Sequence, residues 1–105
     1  MKTVLSGLLS IGLGLFVLPT AHASKALATK NGCLGCHAVD VQINGPAYKD
    51  VAQKYAGDPK GKEHLIESIL QGGSGRWGEM VMPAQIKLSK ADAAKLADWI
   101  LRGAH

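Results

Sequence analysis

The sequence predicts a small all-α domain with four helices. Apolar residues recur at spacings of three and four along most of the chain, and glycine or proline stands at the ends of these segments. Alternation of apolar and polar residues, the usual signal of a β-strand, is not convincing anywhere. The chain of 105 residues has room for one domain, and its 47% hydrophobic and 19% charged residues exclude a disordered tail.

Residues 1–23 have the features of a secretory leader, or signal peptide. Lys2 precedes an uncharged run over residues 4–18, and small residues come directly before the expected cleavage position. A membrane-spanning helix needs about 20 apolar residues, and this shorter run is diluted by glycine and serine. We therefore predict cleavage after Ala23 and a mature domain of residues 24–105 without a membrane span, an uncleaved anchor being the alternative.

The first two predicted helices flank a segment rich in turn residues. Residues 24–31 consist mostly of good helix formers and end at Gly32. Residues 47–55 follow Gly45 and Pro46, and their apolar side chains fall on one face of a helix. The members of this face are Tyr48, Val51, Ala52 and Tyr55.

The third and fourth predicted helices are separated by a long loop. The third ends at Gly72, the fourth ends near Gly103, and residues 72–88 between them show no periodicity. A loop of this length inside a small domain is usually functional. The third helix is predicted to start with Asp58 as its cap and Pro59 in its first turn. The fourth is predicted to start with Ser89 and Asp92 as a capping pair.

The predicted mature domain has little material for a hydrophobic core. Its aromatic side chains number four, and of these Tyr48, Tyr55 and Trp99 are expected to lie in the core. A domain this small buries a limited share of its surface and usually needs disulfides, a metal or a cofactor for stability. Two cysteines allow one disulfide at most, so we expect a bound group to complete the core.

Residues 33–37 hold the chemistry of the chain in the pattern C-x-x-C-H. This spacing lets two thiols add to the two vinyl groups of one haem, while the adjacent histidine meets the iron from the same side. Both cysteines of the chain lie in this motif, and a leader directs the chain to the compartment where such attachment occurs. We predict one covalently bound haem c, attached to Cys33 and Cys36, with His37 as an iron ligand.

Three other interpretations of the motif are weaker. A thioredoxin-like dithiol has the same C-x-x-C pattern but lies at the start of a helix in a βαβ unit, which the sequence lacks. A zinc site needs four ligands, and only His64 or His105 could join the three in the motif. A disulfide across two residues would close a very small loop and stabilise the fold little.

The chain resembles the class I bacterial cytochromes c, in particular their short c-551 type. The matching residues occur in order along nearly the whole predicted mature chain, at 31–37, 45–52, 72–78, 82–83 and 96–100. The resemblance implies a four-helix fold around one covalently attached haem. It also implies His37 and Met82 as the axial ligands of the iron, and electron transfer as the activity.

Further roles near the haem are implied by the same resemblance. Pro46 matches a proline whose carbonyl supports the axial histidine, and Trp77 matches a tryptophan whose indole N–H reaches a haem propionate. A turn-forming role for Pro46 and a core position for Trp77 are the alternatives. Gln85 stands where the family has an asparagine that hydrogen-bonds the ligand sulfur. Ser68 falls where some relatives carry a basic residue facing a propionate, and Arg76 is a candidate to compensate.

The sixth ligand of the iron is chosen among three side chains. Met80 and Met82 are the methionines of the predicted mature chain. Pro83 biases the residue before it toward an extended conformation, which suits Met82 as a rigidly presented ligand, and the family match also selects Met82. His64 is the rival ligand and would give a lower reduction potential, although its place on the third helix is more typical of a solvated residue.

An iron with protein ligands on both faces has no open position for a substrate, so we predict a one-electron carrier and not an enzyme. A thiol oxidoreductase, or a haem sensor or peroxidase with an open position, is the alternative. The leader predicts a periplasmic protein, and we expect a monomer that docks with redox proteins at an exposed haem edge. The resemblance implies a quinol-oxidising membrane complex as the electron donor and a terminal reductase or oxidase as the acceptor. Scattered basic residues with a net charge of +4 give no support for a nucleic-acid partner, although Lys30, Arg76 and Lys87 are candidates to surround the haem edge.

Overall fold

The computed structural model describes residues 20–105 together with Gly7, Gly12 and Gly14. The predicted leader, apart from these three glycines and its last four positions, lies outside the described residues. The described chain contains four α-helices, as predicted, and a short 3-10 helix. In chain order they are α1 (Thr20–Lys30), the 3-10 helix (Cys33–Gly35), α2 (Tyr48–Lys54), α3 (Gly61–Gln71) and α4 (Lys90–Leu101).

Helix α1 begins earlier than the sequence predicts. It starts at Thr20, four residues before the expected start, and runs across the predicted cleavage position after Ala23. One face, with Ser24 and Ala28, is buried, and the helix packs against α4. Its end agrees with the prediction, because Gly32 follows with a φ of 72°, a conformation that suits glycine.

The predicted start of the third helix is wrong. Helix α3 begins at Gly61, and Lys60 in front of it makes no side-chain cap. The Asp58 carboxylate instead accepts a hydrogen bond of 2.8 Å from the backbone N–H of Lys60, and the Asp58 carbonyl accepts one of 3.0 Å from Gly61. Asp58 and Pro59 therefore form a turn that precedes the helix, which is the other common use of an aspartate–proline pair.

The predicted start of the fourth helix is confirmed. The Ser89 hydroxyl accepts a hydrogen bond of 3.0 Å from the backbone N–H of Asp92, so one orphan donor of the first turn is satisfied. Helices α1, α2 and α3 all pack against α4. The inner face of α4 is the centre of the core, and the predicted core aromatics Tyr48, Tyr55 and Trp99 are all buried. Helix α4 thus fixes the relative positions of the three other helices.

Among residues 20–105, no helix has both the length and the apolar character that crossing a membrane requires.

Candidate functional site

A cleft of about 490 Å³ opens between the segment around the C-x-x-C-H motif, helix α3 and the loop 72–88. Its volume lies within the range of roughly 300–1,000 Å³ that is usual for ligand and cofactor sites. The structure brings all of the predicted site residues to its lining. They are Cys33, Cys36, His37, Pro46, Trp77, Met82 and Gln85.

The two cysteine side chains are presented by the 3-10 helix Cys33–Gly35 and the turn that follows it. The backbone N–H groups of Cys36 and His37 both donate to the Cys33 carbonyl, over 3.2 and 2.9 Å. Both thiols are free, Cys33 half-buried and Cys36 exposed. Burial raises the pKa of the Cys33 thiol, so the neutral thiol is favoured there. A compact turn thus places two thiols, one of them accessible, at the wall of one cleft.

The His37 side chain is held by its surroundings in one tautomer. Nδ1 lies 2.8 Å from the Pro46 carbonyl oxygen, so Nδ1 carries the proton and donates it. The ring also stacks on Tyr48, with centroids 4.9 Å apart and planes 16° from parallel. With Nδ1 protonated, the lone pair of Nε2 is available to a metal.

The backbone of Met82 is fixed to the start of the long loop. Met82 and Gly73 exchange two hydrogen bonds of 2.8 and 2.9 Å, the only β-bridge in the described part of the chain. Gly72 has a φ of 67°, and a Cβ there would overlap the Met82 carbonyl and lie 2.7 Å from the Ala84 nitrogen. Met82 packs against the core, whereas Met80 is 64% exposed. Of the two methionines, Met82 is therefore the one that both backbone hydrogen bonds and core packing hold in place.

Gln85 ties the segment after Met82 to helix α3. Its side-chain amide donates a hydrogen bond of 3.2 Å to the Pro83 carbonyl, and its backbone N–H donates one of 3.0 Å to the Ile69 carbonyl. The amide nitrogen is thus engaged with the backbone next to Met82 and not with the methionine sulfur. Its contribution to the site is to hold the Pro83–Ala84 peptide, one residue beyond Met82, in place.

Arg76 and Trp77 line one part of the cleft, and Lys54 contacts both of them from outside the lining. Arg76 Nη1 donates to the Ser68 hydroxyl over 3.0 Å and to the His64 carbonyl over 3.4 Å. The guanidinium therefore lies beside Ser68, the position where some relatives carry a basic residue. Lys54 Nζ donates to the Arg76 carbonyl over 3.1 Å and lies 4.7 Å from the centre of the Trp77 ring. Trp77 is 40% exposed, so the interpretation of Trp77 as a core residue is wrong.

His64 is placed away from the cleft lining. Its Nε2 lies 4.0 Å from an Asp58 carboxylate oxygen, and its ring is tilted against Tyr55 at 6.0 Å between centroids. His64 is half-exposed on α3 and does not line the cleft, which argues against His64 as the sixth ligand of the iron. No group of three or more His, Cys, Asp or Glu side chains within the described ranges is arranged to hold a metal ion, which also weakens the zinc interpretation.

Lys54 and Gly72 are site residues that sequence reasoning missed. The lysine belongs to no motif, and its partners lie more than twenty positions further along the chain. The glycine pair at 72 and 73 was interpreted as the end of a helix and as part of the family match, and not as the point where the Met82 backbone comes close. A close approach between two distant backbone segments has no local signature.

The residues of the cleft fit a covalently attached haem. Two free thiols, an imidazole with an available nitrogen and a fixed thioether line the same space. Basic and N–H donor groups lie together at one end, where two carboxylates could be bound. The arrangement offers nitrogen and sulfur ligands from two separate segments of the chain, as a six-coordinate haem iron requires.

Comparison with known proteins agrees with this chemistry. A family model described as cytochrome c matches residues 21–104. Cytochrome c-551 of Allochromatium vinosum is 46% identical over 85 residues, which cover 81% of this chain and 90% of that protein. Cytochrome c-552 of Nitrosomonas europaea is 44% identical over 101 residues, which cover 96% of this chain and 97% of that protein.

Solved structures of similar proteins have the same fold. The crystal structure of wild-type Nitrosomonas europaea cytochrome c552 superimposes with a TM-score of 0.72 at 46% identity, over 74% of this chain and 96% of that chain. The class 1 cytochrome MtoD of Sideroxydans lithotrophicus gives a TM-score of 0.68 at 35% identity, over 80% of this chain and 96% of that chain. The chain therefore belongs to the cytochrome c family, as a class I c-type cytochrome with one covalently bound haem c and the role of a small electron carrier.

Proposed function

We propose that the protein is a periplasmic one-electron carrier between a quinol-oxidising membrane complex and a terminal reductase or oxidase. The observation that carries the electron-transfer role is that His37 and Met82, from two separate segments, line one cleft. Protein ligands from both segments leave no coordination position for a substrate. Bound haem c supplies the reversible one-electron couple of its iron.

Four side chains bind the group in this proposal. Cys33 and Cys36 provide the two thioether bonds from the 3-10 turn. His37 provides Nε2 and Met82 provides its sulfur as the axial ligands. Pro46 supports His37 through the 2.8 Å contact between its carbonyl and Nδ1, which keeps the imidazole in the tautomer that can bind iron.

Trp77, Arg76 and Gln85 have supporting roles in the same proposal. The Trp77 indole N–H and the Arg76 guanidinium bind the propionate carboxylates, since both side chains line the same end of the cleft. The contact between Arg76 and Ser68 supports this role. It places the guanidinium of Arg76 beside position 68 of α3, where some relatives have a basic residue and this chain has a serine. Gln85 holds the Pro83–Ala84 peptide in place through the Pro83 carbonyl.

Redox partners dock, in this proposal, at the mouth of the cleft. Exposed apolar side chains stand on both of its sides, Ile43 before the Gly45–Pro46 turn and Met80 and Val81 in the loop. Lys30 and Lys87 lie close together near the end of α1 and can add a positive charge to the approach of a partner. The protein docks as a monomer, since one chain contains the whole site.

The periplasmic location rests on the predicted leader and on the bacterial origin of the similar proteins. Attachment of a haem to a C-x-x-C-H motif takes place on the exported side of the membrane, which supports the same location. Cell fractionation of the native organism, followed by N-terminal sequencing of the isolated protein, tests both points. A mature chain that begins at Ser24 and is released with the periplasmic fraction is expected.

The visible spectrum of the purified protein tests the proposed function. We expect a Soret band that stays with the chain after extraction with acidified acetone, and a band of the oxidised protein that reports sulfur ligation. Carbon monoxide and cyanide at low concentration should leave the spectrum unchanged, because the iron has no open position. A colourless protein with two reactive thiols, or rapid binding of carbon monoxide, would contradict the proposal.

A further inference from the structure

Gly45 lies directly against the imidazole of His37. A Cβ built at position 45 would overlap Cε1 of the ring and lie 2.7 and 2.9 Å from Nδ1 and Nε2. Real Cβ atoms essentially never come within 3.0 Å of such neighbours. Gly45 is not among the glycines with a positive φ, so the requirement for glycine at this position comes from space and not from backbone conformation.

Both partners of this contact are held by other contacts. The backbone N–H of Gly45 donates to the Cys36 carbonyl over 2.6 Å, and the Gly45 carbonyl accepts from Ile43 over 3.2 Å. His37 is held at its backbone by the Cys33 carbonyl, at Nδ1 by Pro46 and on its ring face by the stacked side chain described above. A side chain at position 45 can therefore be accommodated only if the imidazole turns.

We infer that Gly45 is a positioning residue for His37: the bare Cα at position 45 sets the plane of the imidazole. A methyl group there turns the ring and separates Nδ1 from the Pro46 carbonyl. The inference rests on the proposed role of His37 as an axial ligand, because the plane of the ring matters to function only there. The thiol attachment to Cys33 and Cys36 does not depend on this contact.

The variant Gly45→Ala tests the inference in the holoprotein. We expect the Nδ1 proton of His37 in the reduced protein to exchange with solvent at least tenfold faster than in the wild type, as measured by NMR. We also expect the haem-methyl resonances of the oxidised protein to change their spread, because these shifts report the orientation of the axial imidazole. Sulfur ligation by Met82, seen in the visible spectrum, should remain.

Gly35→Ala is the matched control. Gly35 lies in the same attachment segment, has no positive φ, and has nothing within 4 Å of a built Cβ. This variant should keep the exchange rate of the Nδ1 proton and the haem-methyl shifts of the wild type. A folded Gly45→Ala holoprotein with wild-type exchange and wild-type shifts would overturn the inference.

A second variant decides the question if Gly45→Ala holoprotein does not accumulate. Tyr48→Leu removes the stacked ring and gives the imidazole room to turn, so Gly45→Ala is then made in this background. The double variant should show faster Nδ1 exchange than Tyr48→Leu alone, and equal rates would overturn the inference. The wild-type spectrum tests the proposed function separately: a wild type without covalent haem refutes the function, whereas the variant comparison refutes only the role of Gly45.

Discussion

Met82 and Met80 stand two residues apart and differ in how firmly the fold holds them. Met82 exchanges two backbone hydrogen bonds with Gly73 and packs on the core, while Met80 is largely exposed. Met82→Ala is expected to abolish the sulfur-to-iron charge-transfer band of the oxidised protein and to lower the reduction potential. It should also allow cyanide or carbon monoxide to bind. Absorption spectra and redox titration measure these effects.

Met80→Leu is the control for this prediction. It keeps an apolar side chain of similar size in the same loop, and we expect it to keep the band and nearly the wild-type potential. Loss of the band in Met80→Leu together with its retention in Met82→Ala would reverse the ligand assignment, although the covalent haem would stand.

Tyr48 links the stability of the fold to alkaline pH. Burial raises the pKa of the Tyr48 phenol in the folded protein. In the unfolded chain the phenol has its ordinary pKa of about 10. The folded state therefore binds this proton more tightly, and the resulting stability is fully present below about pH 10 and is lost as pH rises further. Denaturant unfolding of the wild type above this pH should show the loss, and Tyr48→Phe should reduce it.

Tyr55→Phe serves as the comparison, because it leaves the Tyr48 phenol in place. Its free energy of unfolding is expected to fall with rising pH as steeply as that of the wild type. If Tyr48→Phe and the wild type lose stability equally between neutral and alkaline pH, another group causes the alkaline transition.

At the scale of elements, the loop 72–88 is fastened to helices α2 and α3 by two basic side chains. Lys54 contacts the Arg76 carbonyl and the Trp77 ring, and Arg76 contacts α3. Lys54→Met keeps most of the side-chain length and removes the charge. We expect it to lower the free energy of unfolding by about 0.5–1 kcal/mol, the usual value of an exposed cation–π contact. Chemical denaturation of the holoprotein measures this change.

Lys49→Met, at an exposed position on the same helix, is the control for the Lys54 prediction. It removes an equal charge without a contact to Trp77, and its effect should be smaller. Equal losses in the two variants would show that the loop does not depend on Lys54. Protease cleavage within 72–88, expected to be faster in Lys54→Met alone, gives an independent measure.

The elements could be predicted from the sequence wherever their signals are local. Ser89 and Asp92 are three residues apart, and their capping pattern determines where α4 begins. Asp58 and Pro59 carry an equally local signal with two outcomes, a helix cap or a turn, and only the tertiary structure selects the turn. The start of α1 was missed because residues before Ser24 were assigned to a leader and excluded from the helix.

The residues that line the cleft could be predicted from the sequence, and so could the contact of Pro46 with His37, whereas other supporting contacts could not. The C-x-x-C-H motif and Met82 have a recognisable pattern in the sequence, and the structure brings them to one cleft. Contacts such as that of Lys54 with Trp77, or of Gly45 with His37, depend on how segments meet in space. Nothing in the composition around these residues specifies such contacts.

For the whole molecule, we expect the small core to make folding depend on the bound haem. Within residues 20–105, the large side chains with less than 2% exposure are Trp99 and Leu96, and the cleft opens beside the core they form. The double variant Cys33→Ser and Cys36→Ser is expected to yield a haem-free chain that is largely unfolded, because the group that fills the cleft is missing. Circular dichroism during heating measures its helix content.

Two results would decide this prediction. A weak, non-cooperative signal that gains helix when haem is added supports coupled folding and binding. A cooperative loss of helix on heating the haem-free chain would show that the polypeptide packs by itself, in which case the four helices need only one another. The wild-type holoprotein, unfolded under the same conditions, gives the reference transition.

The paired hydrogen bonds between Gly73 and Met82 have a consequence for the speed of electron transfer. They hold the methionine backbone through contacts within the polypeptide, so in the proposed role of Met82 as an axial ligand its position does not depend on the bond between sulfur and iron. Adding or removing one electron changes the charge on the metal, and a loop anchored in this way has no reason to rearrange in response. We expect a low reorganisation energy as a result, so that electrons can pass quickly even when the driving force between two partners is small.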